Sequence, residues 1–299
     1  MKLSILIVNY NTESFICQLL ASLKNQTLSQ SLFEIIIVNN VQNDVMDNLL
    51  KSKGFYESFN LSLYQSQSNL GFGRAMNLGF KHAKGEHILL LNPDILMRQD
   101  DYLEKLLLTA DDNPDYGAIS TQVLDDDGND TSTYTAYEFG QNLGFDGQIC
   151  WFQGSLLLVR RDVFLQLGGF DPDFFMYCED VDLCLRIKRL GLALIKNDKL
   201  EVYHFGGASE PAQNYDFYHR YHKSQLLFAY KHYDNHIFND IVMRLYKKTK
   251  NRLIYYKLLS RLSKRYARHF NKNKSMFDLT KQVINHRMDY LFYQQNNKG

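Results

Sequence analysis

Ser4-Ile5-Leu6-Ile7-Val8-Asn9-Tyr10-Asn11 opens the chain with an unbroken apolar, β-branched run that stops abruptly in amides. A strand that is apolar on consecutive residues is covered on both faces, as in a parallel sheet lying between helices. The pattern recurs. Residues 34–38 end in Asn39-Asn40, residues 61–64 form another short run, and residues 87–91 end in Asn92-Pro93-Asp94. Helical periodicity follows the first run and resumes from Phe72 and from Gln99. Such alternation predicts an α/β fold with a mostly parallel sheet flanked by helices. Ligands of these sheets bind beyond the carboxyl ends of the strands, so the polar residues there carry the functional interest. From 116 to 159 the rhythm loosens, with strands expected at 118–124 and 155–159. Asp125-Asp126-Asp127-Gly128-Asn129 between them reads as a solvated turn rather than a metal site.

With 299 residues and 45% hydrophobic content, the chain can bury one large core and still carry an appendage. Its longest apolar runs, such as 88–91 and 156–159, fall far short of the ~20 residues that span a bilayer. The first residues lack a signal-peptide pattern, so a soluble, cytoplasmic protein is expected. Cys17, Cys150, Cys178 and Cys184 have no C-x-x-C pairing, which argues against a zinc site or a disulfide framework and for buried thiols. The net charge of +1 hides an asymmetry: residues 1–214 hold 16 Lys+Arg against 28 Asp+Glu, and residues 215–299 hold 18 against 5. These parts do different work. After Pro211, long helices are expected at 215–233, at 241–270 and from 276 to about 293. Residues 241–274 contain 12 Lys or Arg and no acid, interleaved with Leu245, Leu253, Tyr256, Leu259, Leu262, Tyr266 and Phe270. This reads as a basic amphipathic helix suited to an anionic membrane surface. Nucleic acid is disfavoured as a partner by the acidic first part.

Two acids further on lie on different faces of one helix. At about 100° per residue, Asp180 shares a face with Leu183, Cys184 and Ile187, whereas Asp182 aligns with Arg186 and Arg189. Asp182 is therefore expected to be a surface acid paired at i,i+4 with Arg186. Asp180 has two readings: a cap accepting orphan backbone N–H groups, or a desolvated carboxylate acting as a general base. Gly71 and Gly73 permit a tight turn or close backbone approach to a ligand, and Arg74 beside them is a phosphate ligand or an exposed surface residue. Asp94, two residues after the amide of Asn92, suits an oxygen-coordinated cation or a turn. His204, beside Gly206 and Gly207, is structural or a metal ligand.

In order along the chain, Ser4 to Asn11, Glu34-Ile35-Ile36-Ile37-Val38-Asn39-Asn40, Asn69-Leu70-Gly71-Phe72-Gly73, Leu91-Asn92-Pro93-Asp94, Gly168-Gly169-Phe170-Asp171, Phe174-Phe175-Met176-Tyr177-Cys178-Glu179-Asp180-Val181-Asp182 and His204-Phe205-Gly206-Gly207 closely resemble the motif series of family 2 glycosyltransferases. Within the family they look most like the rhamnosyltransferase branch. The resemblance runs from residue 3 to about 209. It implies a GT-A type, Rossmann-like mixed sheet flanked by helices, with a catalytic domain at 1–213 and a basic helical appendage at 214–299.

The implied activity is inverting transfer of a hexosyl group from a nucleoside-diphosphate sugar, thymidine-diphosphate-rhamnose or a uridine-diphosphate hexose. The implied acceptor is a polyprenyl-diphosphate-linked saccharide in cell-surface glycan synthesis, reached at the inner face of the plasma membrane. By the same resemblance Asp180 is the catalytic base, with Gly154 and Glu179 on the acceptor side. Asp94 and His204 hold Mg²⁺ or Mn²⁺, and Val8, Tyr10, Asn11, Asn39, Gly71, Arg74, Asn92 and Pro93 bind the donor. Asn39 and Asn92 stand where the family usually carries acids, which alters base recognition and leaves one carboxylate at the metal motif. A sugar nucleotidyltransferase and a non-catalytic sugar-nucleotide or glycan-binding module are the competing readings.

Overall fold

The computed structural model describes residues 1–207 and 213–292. It divides into two compact units. One comprises Met1–Tyr137, Gly144–Asp171 and Glu179–Ser209, the other Glu138–Leu143, Pro172–Cys178 and Glu210–Gly299.

The first unit contains, in order, β1 (Leu3–Asn9), α1 (Glu13–Lys24), β2 (Phe33–Asn39), α2 (Val45–Ser52), α3 (Phe55–Ser58), β3 (Leu61–Gln65), α4 (Phe72–Phe80) and β4 (His87–Leu91). It continues with β5 (Ile95–Met97), α5 (Tyr102–Asp111), β6 (Tyr116–Leu124), β7 (Thr133–Tyr134), β8 (Trp151–Phe152), β9 (Leu156–Arg160), α6 (Arg161–Gln166), α7 (Glu179–Arg189) and β10 (Ala193–His204). Eight strands form one sheet in the order β3-β2-β1-β4-β9-β6-β10-β5, and β7 pairs with β8 separately. Strands β3, β2, β1 and β4 run parallel, β9 runs against β4 and β6, and β10 is parallel to β6 and antiparallel to β5. Six strands therefore share one direction. Their carboxyl ends and the start of β9 lie along a single edge.

Both faces of this sheet are covered, which is why β1 is apolar without alternation. Leu3, Ile5 and Ile7 pack with Ile16, Leu19 and Leu20 of α1 and with Leu103 and Leu106 of α5. Leu6 and Val8 face the opposite core, with Ala75 and Met76 of α4 and with Leu183, Cys184 and Ile187 of α7. Gly117 lets α7 close on β6: a Cβ there would lie 2.2 Å from Ile187 Cγ2. The α5 helix starts at Tyr102 rather than Gln99 because Gln99 is engaged elsewhere. Its carbonyl accepts from Gln26 and its side-chain oxygen from the Glu201 N–H. The last strand begins at Ala193 and has a register shift between Asn197 and Glu201.

The second unit is built on α8 (Tyr215–His232), α9 (Asn235–Leu259) and α10 (Lys264–Ile284). The single helix expected over 241–270 is instead a hairpin. Ser263 caps a new helix, its hydroxyl accepting the Tyr266 N–H, and the two arms pack through stacked Tyr246–Phe277 and Tyr256–His269 pairs. The apolar periodicity continues through the turn and so does not reveal it. The third predicted helix ends at Ile284, before a short 3₁₀ turn, and Tyr293 lies outside the described residues. A buried His222–Ser275 hydrogen bond of 2.9 Å joins α8 to α10. Helix α8 also holds the two loop segments of this unit: Ser224 donates to the Met176 carbonyl, Gln225 to Glu138, and Lys231 pairs with Asp173. Among the described residues no helix is long and apolar enough to cross a membrane.

Candidate active site

The edge formed by the strand ends gathers most of the residues singled out in the sequence. Val8 is buried in β1, while Tyr10 and Asn11 just beyond it are exposed, Asn11 with φ +56°. Asn39 closes β2 opposite Asn9 and Gln65, and the three side chains form a network. Asn9 donates to Asn39 Oδ1 at 2.8 Å, and Asn39 Nδ2 donates to Gln65 Oε1 at 2.8 Å and to the Asn43 carbonyl at 2.9 Å. Both Asn39 Nδ2 donors are thus used by protein partners. Next to it Asn40 accepts the Leu70 N–H and donates to Asn69, which in turn accepts the Gly71 N–H. This holds Gly71, at φ +78°, just ahead of α4. Arg74 lies half-buried in the first turn of α4.

At the end of β4, Asn92 donates its backbone N–H to the Ser155 carbonyl at 2.8 Å, Pro93 is buried, and Asp94 is 5% exposed. Strand β10 brings His204 opposite Ile95, so that His204 Nε2 lies 3.3 Å from Asp94 Oδ1. Immediately before Ser155, Gly154 donates its N–H to Asp180 Oδ2 at 2.8 Å. Consecutive residues ahead of β9 therefore tie the Asn92–Asp94 turn to the start of α7. Only a glycine fits at 154, because a Cβ would come within 2.9 Å of Asp180 Cβ.

Asp180 combines the two readings left open above. Its carboxylate accepts the Val181 N–H at 2.8 Å as well as that of Gly154, yet burial outweighs these bonds and raises its pKa above the ordinary carboxylate range. It keeps some accessible surface, which a base needs in order to reach a substrate. Its neighbour Glu179 is buried, and burial together with the Asp180 charge pushes it up to about 8. Glu179 Oε2 and Ser155 Oγ are buried without a hydrogen-bond partner among the described residues.

Asp182 is not the surface acid expected. It is 1% exposed and pairs at 2.7 Å with Arg186 Nε, while the same guanidinium donates to the carbonyls of Leu167 and Gly169. The i,i+4 pairing holds. The face is covered because the Gly168–Gly169 turn folds over it.

The sequence profile of glycosyl transferase family 2 matches residues 4–178. The chain belongs to glycosyltransferase family 2. It is 28% identical over 217 residues to rhamnosyltransferase WbbL of Escherichia coli, a match covering 64% of this glycosyltransferase and 78% of WbbL. It is also 28% identical over 208 residues to the N-acetylglucosaminyl-diphospho-decaprenol L-rhamnosyltransferase of Mycobacterium tuberculosis, covering 56% of this chain and 66% of the relative. Among solved structures, the Pyrobaculum calidifontis mannosyltransferase PcManGT in complex with GDP-Man and Mn²⁺ superposes with a TM-score of 0.61 at 16% identity. That match covers 95% of this chain and 87% of that one. Staphylococcus aureus TarS 1-349 does so with a TM-score of 0.55 at 16% identity, covering 96% and 92%. The GT-A fold is shared.

Among the described residues of this glycosyltransferase, no group of three or more His, Cys, Asp or Glu side chains converges on one point. The Asp94–His204 pair still fits a divalent ion. Two neighbouring ligands of an octahedral ion at about 2.1 Å are about 3 Å apart, and the observed oxygen and nitrogen are 3.3 Å apart. Such an ion keeps its other positions for water and diphosphate oxygens. Gln65, hydrogen-bonded to Asn39, is the residue the sequence reading left out. Its position at a strand carboxyl end was the available signal.

Proposed function

We propose that this glycosyltransferase moves a sugar, with rhamnose favoured, from a nucleoside diphosphate to a lipid-diphosphate-linked saccharide with inversion at the anomeric carbon. The observation that carries the reading is Asp180, a desolvated carboxylate anchored by the Gly154 and Val181 N–H groups on the same sheet edge as Asp94 and His204. Inverting displacement needs a base on the acceptor side and charge neutralisation on the leaving-group side.

Each Asp180 oxygen has a lone pair beyond the N–H bond it accepts, so the carboxylate takes the proton of the acceptor hydroxyl as that oxygen attacks. Glu179, neutral up to about pH 8, adds no second negative charge there. Asp94 and His204 would hold a Mg²⁺ or Mn²⁺, which supplies Lewis-acid neutralisation of the departing diphosphate. Asn39, held by Asn9, Gln65 and the Asn43 carbonyl, forms the floor of the nucleoside pocket, where Val8, Tyr10 and Asn11 contact the base and Gly71, Arg74, Asn92 and Pro93 line the donor. Gly154 and Glu179 lie on the acceptor side. In this division residues 1–213 act as the catalytic domain and 214–299 as the basic helical region that brings it to the cytoplasmic face of an anionic membrane. Similarity to the two rhamnosyltransferases supports the donor and acceptor classes.

The test is a panel of nucleotide sugars offered with a lipid-diphosphate N-acetylhexosamine, with and without chelator. Release of nucleoside diphosphate, greatest with thymidine-diphosphate-rhamnose, is expected. Pyrophosphate release would mark a nucleotidyltransferase, and donor binding without turnover a binding module.

A further inference from the structure

Among the described residues, six large apolar side chains are more than half exposed, and four of them lie within nine residues at the closed end of the α9–α10 hairpin: Ile254 (71%), Tyr255 (58%), Leu258 (75%) and Leu262 (72%). The other two, Leu108 and Leu165, belong to α5 and α6. On α9, Ile254, Tyr255 and Leu258 fall within about 100° of one another, so they form one patch. Of these four only Leu262 belongs to the stripe that the periodicity singled out; Tyr256 of that stripe is instead used between the two arms, stacked on His269.

Around the patch the charge has one sign. Arg252, Lys257, Arg261, Lys264 and Arg265 are exposed, and residues 241–274 contain no acid. Among the described residues only Lys274 of the twelve cations in that span forms an ion pair, with Asp278 one turn further along α10. Exposed apolar tips ringed by unpaired cations are costly in water unless something covers them. The combination has the chemistry of an interfacial anchor. Apolar side chains enter the headgroup–acyl boundary while long basic side chains extend outward to lipid phosphates.

We infer that the end of the α9–α10 hairpin inserts into an anionic lipid bilayer, with Ile254, Tyr255, Leu258 and Leu262 as the inserted residues and the surrounding Lys and Arg as headgroup ligands. The inference deepens the membrane attachment proposed above by naming the element that touches lipid. Helix α8 of the same unit holds Met176 and Asp173, in the segment that runs directly into Glu179. Anchoring this unit therefore also anchors the chain entering α7.

The test uses the full chain with vesicles of phosphatidylcholine alone and of phosphatidylcholine with phosphatidylglycerol. Wild type is expected to float with the anionic vesicles only, and salt should release it. A variant with Ile254→Ser, Leu258→Ser and Leu262→Ser keeps every cation and removes only exposed groups. It is expected to bind more than about tenfold more weakly, and Leu258→Trp is expected to show fluorescence quenched by brominated lipid. Unchanged binding of the triple-Ser variant would overturn insertion. Equal binding to neutral vesicles would overturn the headgroup role. Self-association or RNA binding in place of vesicle binding would assign the patch to another partner and overturn the inference. Nucleoside diphosphate release with a soluble acceptor, measured on the same variants, reports on the transfer reading separately and is expected to be unchanged.

Discussion

Asp180 and Glu179 are adjacent carboxyl groups with different surroundings, and that difference assigns their chemistry. Asp180 receives two backbone N–H groups and retains some surface, whereas Glu179 Oε2 is buried without a hydrogen-bond partner among the described residues. Asp180→Asn is expected to leave donor binding intact, by calorimetry, and to lower turnover by about 10²-fold or more. Near-normal turnover would remove Asp180 from the role. Because burial raises the Asp180 pKa, the acid limb of kcat/KM is expected above the ordinary carboxylate value of about 4. Glu179 contributes a different pH effect. Between pH 4.5 and about 8 the folded chain holds a proton that the unfolded chain has released. Stability therefore falls as pH rises through that window, by at most about 1.4 kcal/mol per unit. Urea denaturation across this range should show the slope in wild type and a flatter profile in Glu179→Gln. The sequence put Asp180 on an apolar face but left open cap or base, because its pKa depends on burial by distant segments and, against that, on the N–H of Gly154, 26 residues earlier in the chain.

Among the elements, α7 carries the proposed base on one face and a structural fastening on the other. Asp182 and Arg186 clip the helix to the Leu167 and Gly169 carbonyls. Asp182→Ala leaves the Arg186 guanidinium without its carboxylate in a largely covered position and is expected to cost about 2–3 kcal/mol in urea unfolding. A loss below about 0.5 kcal/mol would mean the pair is as weak as a surface one. Periodicity gave the i,i+4 pairing but misjudged the face as solvated, because a helix wheel does not show which loop folds back over it. The β4 end and β10 are a second such pair of elements. They are more than 100 residues apart in sequence, yet one antiparallel ladder sets His204 beside Asp94. Chelation is expected to suppress donor turnover, and Asp94→Asn to raise the half-saturating Mn²⁺ concentration at least about tenfold. Full activity in chelator would exclude the metal role of both residues.

At the scale of the molecule, residues 1–214 are acidic and residues 215–299 basic. Attachment through the basic part predicts that turnover on a membrane-embedded acceptor falls as ionic strength rises, while turnover on a soluble acceptor changes little. Parallel salt curves would rule out an electrostatic contribution. The apolar runs ending in amides were enough to read the α/β sheet and its polar edge from the sequence, because a strand buried on both faces must be apolar throughout. The ordered motifs likewise identified the family. Tertiary structure alone decided the hydrogen-bond partners of Asn39, the Gly154–Asp180 bond, the burial of Asp182 and the break at Ser263 that turns one expected basic helix into a hairpin. Local periodicity records which residues prefer burial, but not which distant segment covers them, and these four features depend on that covering.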